Sequence, residues 1–177
     1  MPQQDISHLL LKTAFSCMAC DGHIDNREIS LLKQLGKEVE YFRDVNITKE
    51  IDSLVISINE NGHNFLKEYF HELKNAVLKE EDELTIVKVA VQAINADEKV
   101  EYSEIKIFKI IRSYLKVSNT KILTILPEIE EYLEQDIISE KYIESITENY
   151  FEAHSLPQFE LVSSLDADDL PSSENDT

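Results

Sequence analysis

Two stretches of the chain, 76 residues apart, carry the same pattern of acidic and apolar residues. Acids stand at three matching places in each: Asp21, Asp25 and Glu28 in CDGHIDNREISLL, and Asp97, Glu101 and Glu104 in ADEKVEYSEIKIF. Apolar residues match at the same offset: Ala14 with Ala90, Met18 with Ile94, Leu32 with Phe108 and Leu35 with Ile111. The repeat therefore predicts two copies of a helix–corner–helix unit that cover each other's apolar faces.

The rest of the chain also has a helical pattern. With only three glycines and four prolines in 177 residues, it lacks the frequent turn residues of an all-β protein. The apolar period predicts helices over 5–20, 26–42, 48–59, 64–78, 81–96 and 102–115, and further helical pattern to residue 151 that Pro127 divides. We expect an all-α fold, a single orthogonal bundle of about seven to eight helices, with the helix over 81–96 the most enclosed.

The helical pattern stops after residue 151, which divides the chain into a domain over 1–151 and a tail over 152–177. The tail holds seven acidic residues and neither Lys nor Arg, a composition that predicts disorder. Its apolar residues, among them Phe159 and Val162, leave two alternatives open: a docking segment that folds onto a partner, or a segment that packs on the domain itself.

The charge of the chain narrows the classes of partner. A formal net charge of −18 argues against nucleic acid, whose binding depends on Lys and Arg, and favours cations or basic protein surfaces. No stretch has the roughly 20 apolar residues of a membrane-spanning helix, and the N-terminus lacks the basic region of a signal peptide. We expect a soluble, cytoplasmic protein without direct membrane insertion.

The acids of the two corners have two interpretations, of which the first is helix capping. Asp25 and Glu28 form a capping-box pattern, and Gly22 can end the preceding helix with a positive φ angle. The second corner fits capping less well, because Glu101 is a poor cap and Glu98 stands where the first corner has its glycine.

The second interpretation is a divalent-cation site at each corner. Calcium takes six to eight oxygen ligands and magnesium about six, and three carboxylates with nearby loop carbonyls supply a good part of either set. The spacing is not that of an EF-hand, which needs acids at positions 1, 3 and 5 of its loop. The candidate metal ligands are therefore Asp21, Asp25, Glu28, Asp97, Glu101 and Glu104.

Other chemistry has less support in the sequence. Cys17, Cys20 and His23 have a spacing that zinc can use, but the cysteines fall on an apolar helix face and align with Ala93 and Ala96, which predicts core residues. The chain has no nucleophile elbow, Walker loop or H-E-x-x-H. A dimetal hydrolase would need histidine beside the acids, and neither corner has an E-x-x-H. We expect a non-catalytic protein.

The stretch MACDGHIDNREISLL resembles the A-x-A-D-G-x-I-x-x-x-E signature of TerB-like domains, the tellurite-resistance family that also includes N-terminal regions of some membrane-anchored J-domain co-chaperones. INADEKVEYSEIKIF resembles the degenerate second copy in that family, so the resemblance covers roughly residues 5–117. Asp21 and Glu28 match the family's Asp and Glu, and Asp97 and Glu104 match their counterparts. The departures are Cys20 at a usual alanine and Glu98 at the second glycine.

The resemblance implies an all-helical domain of about seven helices in two halves, with acidic corners proposed to bind divalent metal, in bacterial proteins linked to stress and envelope-associated complexes. The expected function is a non-catalytic module that binds calcium or magnesium and engages unidentified protein partners, either basic or associated with membrane complexes. The alternative is a helical interaction scaffold whose corners only cap helices and whose acidic face and tail bind basic partners.

Overall fold

The computed structural model describes residues 3–20, 22, 24, 26–38, 40–42, 45–96, 102–133 and 156–165. Eight α-helices lie within residues 3–133: α1 Gln3–Ala19, α2 Asn26–Glu38, α3 Ile47–Asn61, α4 His63–Asn75, α5 Glu80–Ile94, α6 Tyr102–Tyr114, α7 Asn119–Ile125 and α8 Glu130–Leu133. Short 3₁₀ helices cover Glu40–Phe42 and Pro127–Ile129. No β-strand occurs in these described ranges, so the all-α prediction is confirmed.

The repeat in the sequence is also a repeat in the structure. A shift of α2, Asn26–Glu38, by 76 residues gives the bounds of α6, Tyr102–Tyr114, and the same shift aligns α1 with α5. We call α1 with α2 the first unit and α5 with α6 the second unit. The pairing of α1 with α5 is the largest helix–helix contact among the described residues, so the two units cover each other as predicted.

Among the described helices α1 is more enclosed than α5, the helix that the pattern predicts to be the most enclosed. All the residues from Thr13 to Cys20 are buried, and α1 contacts α2, α3, α4, α5 and α6. The sequence pattern gives α1 one apolar face, which includes Thr13, but residues off that face, such as Leu11, Phe15 and Ser16, are buried as well. The Thr13 hydroxyl donates to the Leu9 carbonyl oxygen at 2.8 Å and accepts from the Tyr69 hydroxyl at 2.8 Å, so its polarity is satisfied inside the core.

The ends of the helices follow short-range capping chemistry. Asn46 caps α3 by accepting from the Lys49 amide at 3.1 Å, and Thr48, whose residue type also favours a cap position, lies inside the first turn. Ser118 caps α7, its side chain accepting from the Lys121 amide. Pro127 begins the 3₁₀ helix that separates α7 from α8, which confirms that it divides the region.

Each unit ties the segment after its second helix back to its first helix. In the first unit, the Ser7 hydroxyl on α1 donates to the Tyr41 carbonyl oxygen. In the second unit, the Glu83 carboxylate on α5 accepts from the amides of Lys116 at 2.8 Å and Val117 at 2.6 Å. Ser7 and Glu83 are both buried and, like Tyr41 and Val117, are 76 residues apart, so the repeat extends to these polar contacts.

Residues 156–165, which we call the strap, lie on α3 and end in the short helix α9, Val162–Leu165. The sequence pattern places them in a disordered tail, but Val162 is only 1% exposed and Asn59 on α3 bonds to the backbone of Phe159. Apolar burial thus outweighs the acidic composition of this stretch. The helical pattern predicted over 134–151 and the rest of the tail lie outside the described residues.

Candidate functional site

The first acidic corner lies between the end of α1 at Ala19 and the start of α2 at Asn26. Gly22 has a φ of +85°, which confirms the predicted left-handed conformation, and its amide donates to the Ala19 carbonyl oxygen at 3.1 Å. A Cβ atom at residue 22 would lie 3.0 Å from Cδ of Pro157. The strap therefore packs against the turn of this corner.

Glu28 is the described acid of the first corner, and it lies in the first turn of α2 with only 7% of its surface exposed. The start of α2 at Asn26 makes Glu28 the third helical residue, so the positive end of the helix dipole favours its negative charge. Asp21 and Asp25 lie outside the described residues. Of the three predicted ligands here, the structure thus places Glu28 alone.

Glu104 holds the same position in the second unit, as the third residue of α6, and is 4% exposed. Its charge raises the pKa of Tyr132 on α8 and that of Cys17 on α1. Burial is the main cause that raises the pKa of Tyr132 on α8, and the Glu104 carboxylate raises it further. The Tyr132 hydroxyl donates to Oδ1 of Asn95, the residue after α5, at 3.1 Å, which joins α8 to the second corner.

The remaining predicted ligands of the second corner, Asp97 and Glu101, lie outside the described residues. Within the described part of the chain, no three His, Cys, Asp or Glu side chains come together in a group that could hold a metal ion. The structure therefore places one acid from each corner, Glu28 and Glu104, and both are buried at equivalent positions. A metal or capping role for the full sets stays a prediction.

The two cysteines lie in the core, as their alignment with alanines predicts. The Cys20 thiol donates to the Cys17 carbonyl oxygen, with 2.9 Å between sulfur and oxygen. Burial raises the pKa of Cys17 far above its ordinary value of 9.0, and the Glu104 carboxylate raises it further. Because zinc binds the thiolate, this environment disfavours Cys17 as a ligand. His23, the third member of the motif, lies outside the described residues.

Two polar residues on α3, Asn59 and Asp52, hold the strap, and no sequence motif predicts either contact. Oδ1 of Asn59 accepts from the Phe159 amide, and Oδ1 of Asp52 accepts from the Ser163 amide at 3.2 Å. The apolar residues of the strap are the only local signal of this contact. Nothing in the sequence around Asn59 points to a partner a hundred positions away.

None of the helices in the described ranges has the length and apolar character that crossing a bilayer requires. Comparison of the chain with protein-family models, with curated proteins and with solved structures gives no match in any of the three. The resemblance to TerB-like domains therefore stays a prediction that depends on the two corner motifs.

Proposed function

We propose that this protein is a non-catalytic, TerB-like helical module that binds a divalent cation, calcium or magnesium, at its acidic corners. The observation that carries the proposal is the burial of Glu28 and Glu104 at equivalent positions in the first turns of α2 and α6. Buried carboxylates in proteins are hydrogen-bonded, paired with a positive charge or coordinated to a metal ion, and a divalent cation at each corner would supply positive charge in addition to any hydrogen bonds.

The residues of the corners fit a hard cation by their chemistry. Carboxylate oxygens are the side-chain ligands that calcium and magnesium prefer. In the first corner Glu28 would hold the ion with Asp21 and Asp25, and in the second Glu104 would hold it with Asp97 and Glu101. A bound cation would offset the negative charge that each corner concentrates.

The proposed role is in a stress response or in the assembly of a protein complex, in the cytoplasm and without nucleic acid. Its support is the net charge of −18, which favours partners with basic surfaces, together with the family resemblance of the corner motifs. The partner is proposed to be a protein with a basic surface or one associated with a membrane complex.

A second candidate function is a helical interaction scaffold whose corners only cap helices. The helix bounds support it, because α2 and α6 begin at Asn26 and Tyr102, which puts Glu28 and Glu104 at N3, the position of the acid in a capping box. In this alternative the acidic surface binds basic partners and no specific cation is required.

Titration of the full chain with calcium or magnesium separates the two functions. Isothermal calorimetry and amide resonances near Gly22 should show saturable binding if the corners hold cations. The double variant Asp21→Asn/Glu28→Gln should abolish the signal of the first corner, and Asp97→Asn/Glu104→Gln that of the second. Circular dichroism checks that each variant is folded.

The matched control is Glu80→Gln/Glu81→Gln, which removes two charges from the first turn of α5, away from the corners. It should leave saturable binding unchanged. The scaffold function would be supported instead if divalent ions and sodium chloride at equal ionic strength produced the same unsaturable response, because that response is charge screening.

A further inference from the structure

The strap lies on α3 in the manner of a bound peptide. Residues 156–161 are not helical, and one helical turn, α9, follows from Val162. Two of its apolar side chains, those of Phe159 and Val162, pack on the domain three positions apart, with Phe159 partly and Val162 fully buried. The contact thus consists of a non-helical segment, two apolar anchors and a helical end.

The side chain of Asn59 is both a hydrogen-bond donor and a hydrogen-bond acceptor to the backbone of the strap. Its Nδ2 donates to the Phe159 carbonyl oxygen at 2.8 Å, and its Oδ1 accepts from the Phe159 amide at 2.8 Å. The Gln158 side chain donates to the Asn59 carbonyl oxygen at 3.2 Å. Because the side-chain amide of Asn59 contacts only main-chain atoms of residue 159, any extended residue except proline satisfies both hydrogen bonds, whichever protein supplies the peptide.

Asp52 caps the helical end of the strap from outside. Its carboxylate accepts from the amide of Ser163, the second residue of α9. The residue before α9 is Leu161, which has no side-chain oxygen and cannot cap the turn itself. Asp52 on α3 therefore supplies to the strap the function of an N-cap residue.

Asp52 and Asn59 are two helical turns apart, so they lie on one face of α3 with Ile56 between them. We call this surface, defined by Asp52, Ile56 and Asn59, the α3 face. Ile56 is 47% exposed although the strap lies on the same helix, and Leu161 of the strap is also exposed. The strap thus leaves apolar area on the α3 face uncovered.

We propose that the α3 face is a docking site for linear peptides and that the strap occupies it in cis. Its ligand is an extended segment of another protein, with an aromatic and a β-branched residue at the spacing of Phe159 and Val162, followed by a helical turn. Attachment to the same chain gives the strap a high effective concentration. A ligand in trans overcomes this advantage by also covering Ile56.

Fluorescence polarisation of a labelled peptide with the sequence of residues 155–166 tests the proposal on the full chain. In the full-chain variant Val162→Asp the strap is weakened, and the peptide should bind at least about ten-fold more tightly than to the unmodified chain. Addition of Asn59→Leu to that variant should weaken binding by about ten-fold, because both backbone hydrogen bonds are lost.

The matched control is Asn61→Leu in the same background, since Asn61 is on the same helix but bonds to the Ser57 carbonyl oxygen of α3 itself. It should leave peptide affinity unchanged. No saturable binding to a folded Val162→Asp chain, or equal effects of the two asparagine substitutions, would overturn the proposal. If Val162→Asp does not fold, Phe159→Ala weakens the strap instead and the same two results decide.

Discussion

The first and second units share their helix bounds but differ at the ends of α2 and α6. In the first unit, Gly36 lies in α2 against Ile47 at the start of α3, and a Cβ atom on residue 36 would collide with Cγ1 of Ile47. The equivalent residue in the second unit is Arg112. Close backbone approach positions the chain after α2, whereas a long charged side chain positions it after α6.

Arg112 holds the segment after α6 by a set of hydrogen bonds. Its guanidinium donates to the carbonyl oxygens of Leu115 at 3.0 Å and Val117 at 2.6 Å, and to Oδ1 of Asn119 at 2.7 Å. Burial lowers its pKa, and the Glu83 carboxylate opposes that shift. The two copies of the repeat therefore position the segment after their second helix in different ways, the first by close packing and the second by a polar network.

The largest expected effect comes from breaking the polar network of the second unit. Glu83→Ala should lower the free energy of unfolding by about 3 kcal/mol, because two buried backbone amides lose a charged acceptor. The equivalent Ser7→Ala removes one neutral hydrogen bond and should cost about 1 kcal/mol. Urea unfolding measures both, and equal losses would contradict the contrast between the units.

The packing of the first unit is tested by Gly36→Ala. Alanine favours a helix interior over glycine by about 1 kcal/mol, but here its methyl group overlaps Ile47, so we expect a net loss of about 1–2 kcal/mol. The same substitution in an Ile47→Ala background should be neutral or stabilising, because the obstructing atoms are gone. A stabilising Gly36→Ala in the unmodified chain would show that α2 and α3 are not in close approach.

The corner of the first unit is tested at Gly22. Gly22→Val should destabilise by about 1–2 kcal/mol, because a β-branched residue is strongly disfavoured at positive φ and its Cβ would press on Pro157. Gly22→Asn should be milder, since asparagine tolerates this conformation. Thermal melting compares them, and identical melting temperatures for valine and asparagine would exclude the left-handed turn.

The strap packs on the corner of the first unit and on α3, so its removal should affect stability. A chain that ends at residue 155 should lose about 1 kcal/mol, mainly the burial of Val162 and Phe159, and melt about 2–4 °C lower. A chain that ends at residue 165 keeps the strap and is the control. Equal melting temperatures for the two truncated chains would mean that the strap does not stabilise the domain and is part of the disordered tail that its composition predicts.

The effect expected to be smallest at neutral pH is the ionisation of Cys17, whose equivalent in the second unit is Ala93. Its pKa is raised in the folded state above the ordinary 9.0, so its contribution to stability is intact below pH 9.0 and is lost as pH rises beyond it. The loss is about 1.4 kcal/mol per pH unit for one group. Urea unfolding between about pH 9 and 10.5 should therefore show a shallower decline for Cys17→Ala.

The part of the fold that could be predicted is the part with a periodic core. The 76-residue offset and the period of Leu32 and Leu35 in α2 predict the helices of both units, because burial repeats with the helical turn. The burial of α1 beyond its predicted face could not be predicted, because Ser7 and Ser16 are polar and their burial depends on helices that pack from elsewhere in the chain.

The helix positions of the candidate site residues could be predicted from the sequence, but the burial of their side chains could not. The spacing of the acids places Glu28 and Glu104 in the first turns of helices, and the structure confirms those positions. Their burial depends on helices that pack from elsewhere in the chain, which no local pattern contains. The contact of Asn59 with Phe159 was missed for the same reason, because it joins positions a hundred residues apart.

The α3 face and the strap are about a hundred residues apart in the sequence, and this separation determines when their contacts can form. Closure of so large a loop is entropically costly, so we expect these contacts to form late in folding. During synthesis at about 5–20 residues per second, α3 leaves the ribosome several seconds before the strap does. The α3 face of a nascent chain is therefore uncovered for that interval, which gives a peptide of another protein access to it before the strap is synthesised.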